Sequence, residues 1–179
     1  TSAAVFNPEK LLWLNAEYIK ISPPDQVAQA LVPLLREAGL QDEVSALSAD
    51  RLVQLVVLVK ERAKTLVEMV DWVRPYLGQS VSFDEEAVKK FLTPALAPTL
   101  SKLLARFGSL PTFSKQEWEA TFKTFVEEEG MKIGQLAQPV RVALTGRTAS
   151  PGLFDVMEVL GRDRTLFRLR QGIERASGI

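Results

Sequence analysis

The chain has 179 residues, of which 46% are apolar, and its 22 basic side chains balance its 22 acidic ones. This composition can fill a core in one large helical domain or two small ones, which excludes wholesale disorder. The sequence contains no cysteine and no histidine. Disulfides, thiolate metal sites, histidine-based catalytic triads and histidine-bound zinc are therefore excluded.

The first helix is predicted to begin at Asn7, which precedes Pro8. Phe6 and Leu11 are spaced to pack as a hydrophobic staple across this helix start. Apolar residues then recur at helical spacing, and Trp13 is interpreted as a core residue together with Trp72 and Trp118.

Three more helices are predicted before residue 78. Pro33 is expected to kink or locally break the second helix, and Gly39 to end it. The valine-rich run within residues 48–62 favours a helix over a strand, because charged residues flank it at helical spacing. The start signals are Ser22 with Asp25 in a capping-box position, Ser48, and Thr65 with Glu68.

A short polar segment at residues 78–82 lacks periodicity and is the predicted hinge between two lobes, residues 1–78 and 79–179. Beyond it, Asp84 or Ser82 is expected to begin a helix, which Thr93-Pro94 interrupts. A later helix has a capping box of Ser114 with Glu117, and Gly130 ends it.

The stretch QPVRVALTGRTASPGLF, residues 138–154, reads as two helices joined by a polar turn. Gly146 suits a left-handed helix end, and Ser150 before Pro151 suits a helix start. The turn combines an arginine fork, backbone N–H groups and hydroxyls, which is chemistry that suits phosphates or the edges of unstacked bases. A well-capped helix hairpin without a ligand explains the same residues, and both interpretations stay open.

No hairpin signal of Asn-Gly or Asp-Gly with alternating flanks occurs. The fold class is therefore predicted to be all-α, as an irregular helical bundle or cage in two lobes. The acidic runs at residues 84–86 and 127–129 are interpreted as solvated surface, because consecutive helix positions diverge and cannot converge on one metal.

Charge is distributed unevenly along the chain. Residues 1–130 hold 14 basic and 18 acidic side chains, whereas residues 131–179 hold 8 and 4. The basic C-terminal third can attract a polyanion, or it can be an ordinary solvated helix surface. The longest apolar runs fall far short of a membrane span, and no signal-peptide pattern opens the chain. We therefore expect a cytoplasmic protein, and Thr1 in place of methionine suggests an excised fragment.

Residues 132–170, KIGQLAQPVRVALTGRTASPGLFDVMEVLGRDRTLFRLR, resemble the C-terminal signature of bacterial glutamyl-tRNA synthetases. Two earlier stretches resemble the same family in the same order: FNPEKLLWLNAEYIK at residues 6–20 and LVKERAKTL at residues 58–66. The resemblance covers nearly the whole chain. It implies a helical stem-contacting segment followed by a helical anticodon-binding region.

The catalytic motifs of the family are missing from this sequence. No phosphate-binding glycine loop and no KMSKS-type motif occurs, and the HIGH-type motif requires histidine, which is absent. The resemblance therefore implies a non-catalytic part of the enzyme. The intact enzyme would use ATP and Mg²⁺ to attach glutamate to tRNA, and no cofactor is expected in this part.

The resemblance also implies roles for individual residues. Arg141 occupies the position that reads the first anticodon base, and Arg62 the position that reads the third. Ser150, Pro151 and Leu153 match the positions that hold the middle base. An arginine fork can reach two acceptors on a cytosine edge, although a surface ion pair remains the alternative for either arginine. Candidate contacts to the tRNA backbone are Lys10, Lys20, Lys132 and Arg147.

The predicted function is thus anticodon recognition within a glutamate–tRNA ligase. A helical protein-interaction module without an RNA role and a stand-alone tRNA-binding paralogue are the alternatives. The expected partner is glutamate tRNA, with recognition of glutamine tRNA as well left open. We expect a monomer that binds neither DNA nor membranes.

Overall fold

The structure is a computed structural model that describes residues 7–178. Within that range, α-helices and short 3₁₀ turns are the regular elements, and no strand occurs. The predicted all-α class is confirmed. The staple between Phe6 and Leu11 lies outside the described residues, because its first member precedes Asn7.

Ten α-helices and two 3₁₀ turns follow one another within residues 7–178. The helices are α1 Pro8–Ile21, α2 Pro24–Glu37, α3 Gln41–Ser45, α4 Ala49–Val59, α5 Leu66–Val73, α6 Glu85–Phe91, α7 Ala97–Gly108, α8 Lys115–Glu128, α9 Ile133–Thr145 and α10 Leu153–Ser177. The 3₁₀ turns are Arg74–Tyr76 and Pro94–Leu96.

The chain divides into two compact units, a first unit of residues 1–77 and a second unit of residues 78–179. In the first unit, α2 packs against α4 and α5, and the valine-rich run is helical. Its core is made of side chains that solvent does not reach, chiefly Leu31, Leu35, Leu55, Val56 and Met69.

Local capping chemistry sets several helix starts in this unit. The Asn7 side chain accepts from the backbone N–H groups of Glu9 and Lys10. The hydroxyl of Ser48 accepts from the Arg51 N–H, and that of Thr65 from the Glu68 N–H. Each contact satisfies a helix N–H group that has no partner within the helix.

The start of α2 differs from the prediction. Its N-cap is Pro23, with no side-chain cap, and the Ser22 hydroxyl instead donates to the Tyr18 carbonyl at 2.6 Å. Ser22 therefore completes α1, and Asp25 lies in the first turn of α2 without closing a capping box. The α2 helix also continues through Pro33. Further along, α4 ends at Val59, three residues before the predicted end at position 62.

Trp13 is 61% exposed, so its assignment to the core is wrong. Within the described part of α1, Ala16 and Ile19 are the buried residues. The apolar stripe of α1 is wider than the surface that the first unit offers to cover it. Periodicity locates such a stripe, but it does not show what packs against it. Trp118 in the second unit is fully buried, as predicted, and Trp72 is partly buried.

The second unit is built around α9 and α10, with α7 and α8 packed against α10. Trp118 meets the Phe107 ring edge-to-face, with 4.9 Å between ring centroids. The predicted capping box of α8 is confirmed, since the Ser114 and Glu117 side chains each bond the other's backbone. Hydrogen bonds from the Thr112 hydroxyl and the Ser114 backbone lower the pKa of Glu117, which keeps this cap charged.

Two glycines with positive φ interrupt or end helices in the second unit. At Gly161, φ is 74°, and this non-helical residue breaks α10 into two helical segments. At Gly146, φ is 73°, which ends α9 in the left-handed conformation. A Cβ at position 146 would overlap the Ser82 carbonyl oxygen and crowd Val81. The segment 78–84 therefore passes directly against the end of α9, and only glycine fits between them.

We predict that Gly146→Ala lowers the free energy of unfolding by about 3 kcal/mol, because left-handed strain of about 1 kcal/mol adds to overpacking of about 2 kcal/mol. Gly130→Ala is the matched control, since Gly130 has φ of 64° with nothing within 4 Å of the added Cβ. The Gly130→Ala variant should lose only the roughly 1 kcal/mol of stability that left-handed strain costs. Urea unfolding followed by circular dichroism measures both. Equal losses would contradict the steric role of Ser82.

Candidate nucleic-acid interface

The turn between α9 and α10 is held by its own polar groups. The Gly146 N–H donates to the Val142 carbonyl at 2.8 Å, which closes the last turn of α9. The Thr145 hydroxyl donates to the Arg141 carbonyl at 2.8 Å and accepts from the Arg147 N–H at 3.2 Å. The backbone on both sides of Gly146 is thereby fixed.

Arg141 reaches across this turn from the preceding helix. Its guanidinium Nη1 donates to the Ser150 hydroxyl and, at 2.8 Å, to the Pro151 carbonyl. The Arg141 side chain is half-buried, whereas Ser150 is only 9% exposed. The structure thus brings together Arg141, which was predicted to read the first anticodon base, and Ser150 and Pro151, which were predicted to hold the middle base.

The predicted helix start at Ser150-Pro151 is wrong. The α10 helix begins at Leu153 with Gly152 as its N-cap, and no side chain caps it. The Ser150 hydroxyl donates instead to the Pro151 carbonyl at 2.8 Å and accepts from Arg141. A charged donor is a stronger partner for this hydroxyl than a helix N–H group, which explains why the cap does not form.

Leu153 forms an apolar side of the same turn and is 5% exposed. Two residues later, Asp155 lies in the first turn of α10, where the helix dipole favours a negative charge. Asp155 accepts from Lys115 of α8 at 2.5 Å. This hydrogen bond and the carboxylate charge raise the pKa of Lys115, so the lysine stays cationic beside the start of α10.

Arg168 lies behind the turn and is fully buried. It donates to the Leu144 carbonyl at 2.8 Å and to the carbonyls of Gly78 and Gln79 at 3.2 Å each. Arg168 was not among the residues predicted from the sequence to form the site. Its position carried a signal, because Arg168 falls between Thr165 and Gly172 on the buried face of α10.

Arg62 belongs to the first unit. Its backbone N–H donates to the Val59 carbonyl at 2.9 Å, and its guanidinium carbon lies 5.8 Å from the centroid of the Trp72 ring. The exposed Arg62 side chain lines a cavity of about 470 Å³ together with Trp13 and Lys64. The structure therefore places Arg62 on an accessible concave surface, beside an aromatic ring.

The four candidate backbone-contacting cations lie at separate places. Lys10 is exposed on α1, and Lys20 is half-buried near its end, where it pairs with Glu17 at 3.0 Å. Lys132 is the exposed N-cap of α9, and Arg147 is exposed just after Gly146. Only Arg147 adjoins the turn that Arg141 spans.

Residues 7–178 contain no group of three or more acidic, histidine or cysteine residues that could hold a metal ion. Among the same residues, no helix combines the length and apolar character needed to cross a membrane.

Comparison with protein families matches residues 26–173 to the anticodon binding domain. The chain is similar to a glutamate–tRNA ligase from Geotalea uraniireducens, with 48% identity over 172 residues, or 96% of this chain and 36% of the relative. It is also similar to a glutamate–tRNA ligase from Syntrophobacter fumaroxidans, with 43% identity over 180 residues, or 99% of this chain and 38% of the relative. The chain thus spans little more than a third of the length of these curated relatives.

Solved structures agree with this comparison. A crystal structure of a glutamate tRNA ligase from Elizabethkingia meningosepticum, in complex with its amino acid, matches with a TM-score of 0.83 and 25% identity. The match covers 97% of this chain and 33% of that protein. A glutamate-tRNA synthetase from Elizabethkingia anophelis shares the fold, with a TM-score of 0.79 at 24% identity.

We predict that Arg141→Met lowers the free energy of unfolding by about 1.5–3 kcal/mol, because Ser150 and Pro151 lose a charged hydrogen-bond donor. Arg106→Met is the control. Arg106 forms an exposed ion pair with Glu128, and its loss should cost less than about 1 kcal/mol. Chemical denaturation of both variants tests this, and a loss for Arg141→Met no larger than that of the control would refute it.

Proposed function

The chain belongs to the anticodon binding domain family, and from this we propose that it recognises the anticodon of glutamate tRNA within a glutamate–tRNA ligase. The observation that carries the proposal is the Arg141–Ser150–Pro151 cluster at the turn between α9 and α10. This cluster lies within the residues that match the family. It gathers a planar charged donor, a hydroxyl and a carbonyl at one place.

Arg141 reads the first anticodon base in this proposal. Its Nη1 donates to the Ser150 hydroxyl and to the Pro151 carbonyl oxygen. A cytosine edge offers two acceptors of comparable geometry, so the base takes over contacts that the protein makes by itself. Such an exchange leaves no buried donor unsatisfied before or after binding.

The middle base is held by Ser150, Pro151 and Leu153. These residues expose little surface. They select a base by steric fit, and the Ser150 hydroxyl is the one side-chain group that can form a hydrogen bond with it. The hydroxyl is engaged with Arg141 and with Pro151. Movement of Arg141 toward the first base frees an acceptor on Ser150, which links recognition of the two bases.

Arg62 reads the third base from the first unit. Its exposed side chain and the neighbouring cavity of about 470 Å³ support this assignment, since a splayed base needs both a concave site and a charged donor. We assign residues 1–78 to stem contact and the first part of anticodon binding. Residues 79–179 form the second anticodon-binding lobe.

Phosphate contacts come from Lys10, Lys20, Lys132 and Arg147, which position the tRNA without reading its sequence. Lys20 must give up its pairing with Glu17 to take part. In this proposal the intact ligase uses ATP and Mg²⁺ to join glutamate to tRNA, as a cytoplasmic monomer. Those properties belong to the longer protein.

One observation favours a protein partner as a second role. Several large apolar side chains of α1 are exposed, among them Leu11, Trp13, Tyr18 and Ile21. Large exposed apolar patches mark sites of interaction with other proteins. A helical interaction module without an RNA role would use that face and leave the turn of α9 and α10 unoccupied.

We predict that the chain binds glutamate tRNA with an affinity that falls as salt rises, because each phosphate contact releases condensed counterions. Lys132→Gln should flatten the log–log salt slope by about one unit. Lys123→Gln, which removes a cation paired with Glu119 on α8, should leave the slope unchanged. Titrations of labelled tRNA at several salt concentrations measure these slopes. If the folded chain binds no tRNA at low salt, the prediction fails and the protein-interaction role is favoured instead.

We also predict base-specific losses in the full-length ligase. Arg141→Ala should lower kcat/KM about 5- to 150-fold for a tRNA with cytosine at the first anticodon position, and less for one with uridine there. Arg62→Gln should shrink the difference between glutamate and glutamine tRNAs, whose third bases differ.

Arg36→Ala serves as the control for both substitutions, because it removes an exposed arginine from α2. Aminoacylation of a small panel of anticodon variants provides the measurement. Equal losses across the panel would refute base reading by these arginines and leave the family assignment intact.

A further inference from the structure

The fully buried Arg168 occupies an unusual place, because three backbone carbonyls converge on its guanidinium. Placing a guanidinium out of reach of water is unfavourable unless its donors are satisfied. Here one donor bonds Leu144 in the last turn of α9, and two others bond Gly78 and Gln79. Arg168 therefore ties the end of α9 to the segment 78–84.

That segment contacts the turn a second time. The Asp84 N–H donates to the Gly146 carbonyl at 2.9 Å, and the Ser82 carbonyl lies against the Cα of Gly146. Segment 78–84 is thus bonded to Arg168 at one end and to the turn at the other. A shift of Arg168 displaces the backbone against which Gly146 packs.

Thr145 links the end of α9, which Arg168 holds, to Arg141. It follows Leu144, is 2% exposed, and its hydroxyl bonds the carbonyl of Arg141 and the N–H of Arg147. Arg168 is thus connected to the Arg141 backbone by its bond to Leu144, by the adjacent residue Thr145 and by the Thr145 hydroxyl. The Arg141 guanidinium in turn bonds Ser150 and Pro151 across the turn.

We propose that Arg168 and Thr145 are positioning residues for anticodon reading, which hold the Arg141 fork in the orientation that distinguishes one first base from another. The inference rests on the proposed function. A bidentate contact to a base edge depends on the angle of the guanidinium plane, whereas a phosphate contact tolerates rotation. Loss of the restraint therefore reduces discrimination between bases more than it reduces overall binding.

Arginine suits this position because its planar fork presents five N–H donors in fixed directions. A lysine keeps the charge, but its single ammonium cannot reproduce the planar geometry that donates to the carbonyls of Leu144, Gly78 and Gln79 together. Arg168→Lys therefore alters the geometry without altering the net charge. Thr145→Val removes the hydroxyl at nearly constant volume, and Thr145→Ser retains it.

The experiment measures the dissociation constants of the 179-residue chain for two glutamate tRNA transcripts, which carry cytosine or uridine at the first anticodon position. The ratio of the two constants reports base discrimination and is expected to be about fivefold or more in the unaltered chain. Thr145→Val and Arg168→Lys should each reduce that ratio at least about threefold, with the salt slope unchanged. Thr145→Ser should keep it.

Arg170→Gln is the control on the same helix, since Arg170 is exposed. It changes the charge of the protein and is expected to weaken both transcripts alike, which leaves the ratio intact. Melting temperatures of all variants are measured in parallel, and binding is compared at a temperature where each variant is folded.

A lower melting temperature with an unchanged ratio would show that the two residues are merely structural and would overturn the proposal. If Arg168→Lys does not fold, Thr145→Val decides the outcome alone, because a nearly isosteric change should leave the fold intact. An unaltered chain that binds tRNA without discrimination overturns this inference and base reading by Arg141 together. Failure of the unaltered chain to bind any tRNA overturns the proposed function itself.

Discussion

The Ser82 carbonyl oxygen lies against the Cα of Gly146, and this close approach sets the geometry of the second unit around the turn. Position 146 cannot carry a side chain there, and its φ of 73° is the left-handed value that glycine adopts without strain. Because α9 ends at this point, the Asp84 N–H can bond the Gly146 carbonyl. Asp84 in turn caps α6.

The polar residues of the turn are bonded to one another. Arg141 bonds Ser150 and Pro151, and Thr145 bonds the backbone on both sides of Gly146. Recognition in such a site exchanges one set of hydrogen bonds for another, so little affinity comes from each bond by itself. In the proposed recognition, selectivity arises because a base that cannot replace the lost bonds leaves buried donors or acceptors unsatisfied.

Local chemistry and tertiary packing differ in how far the sequence reveals them. Asp84, Ser114 and Thr65 each start a helix as predicted, since a cap depends on residues only a few positions away. Ser150 does not, because its hydroxyl has a stronger partner in Arg141, nine residues earlier. Periodicity likewise placed Trp118 in the core but also Trp13, which the first unit leaves exposed.

By itself, the sequence determined the all-α class, several helix starts and the family, because capping, apolar spacing and ordered motifs are local properties of the chain. Tertiary structure alone decided which polar groups meet. Helical spacing places Arg168 on one face of α10 with Thr165 and Gly172, but only folding shows that it bonds the carbonyls of Leu144, Gly78 and Gln79. Contacts between residues up to 90 positions apart depend on how the helices pack, which no local pattern records.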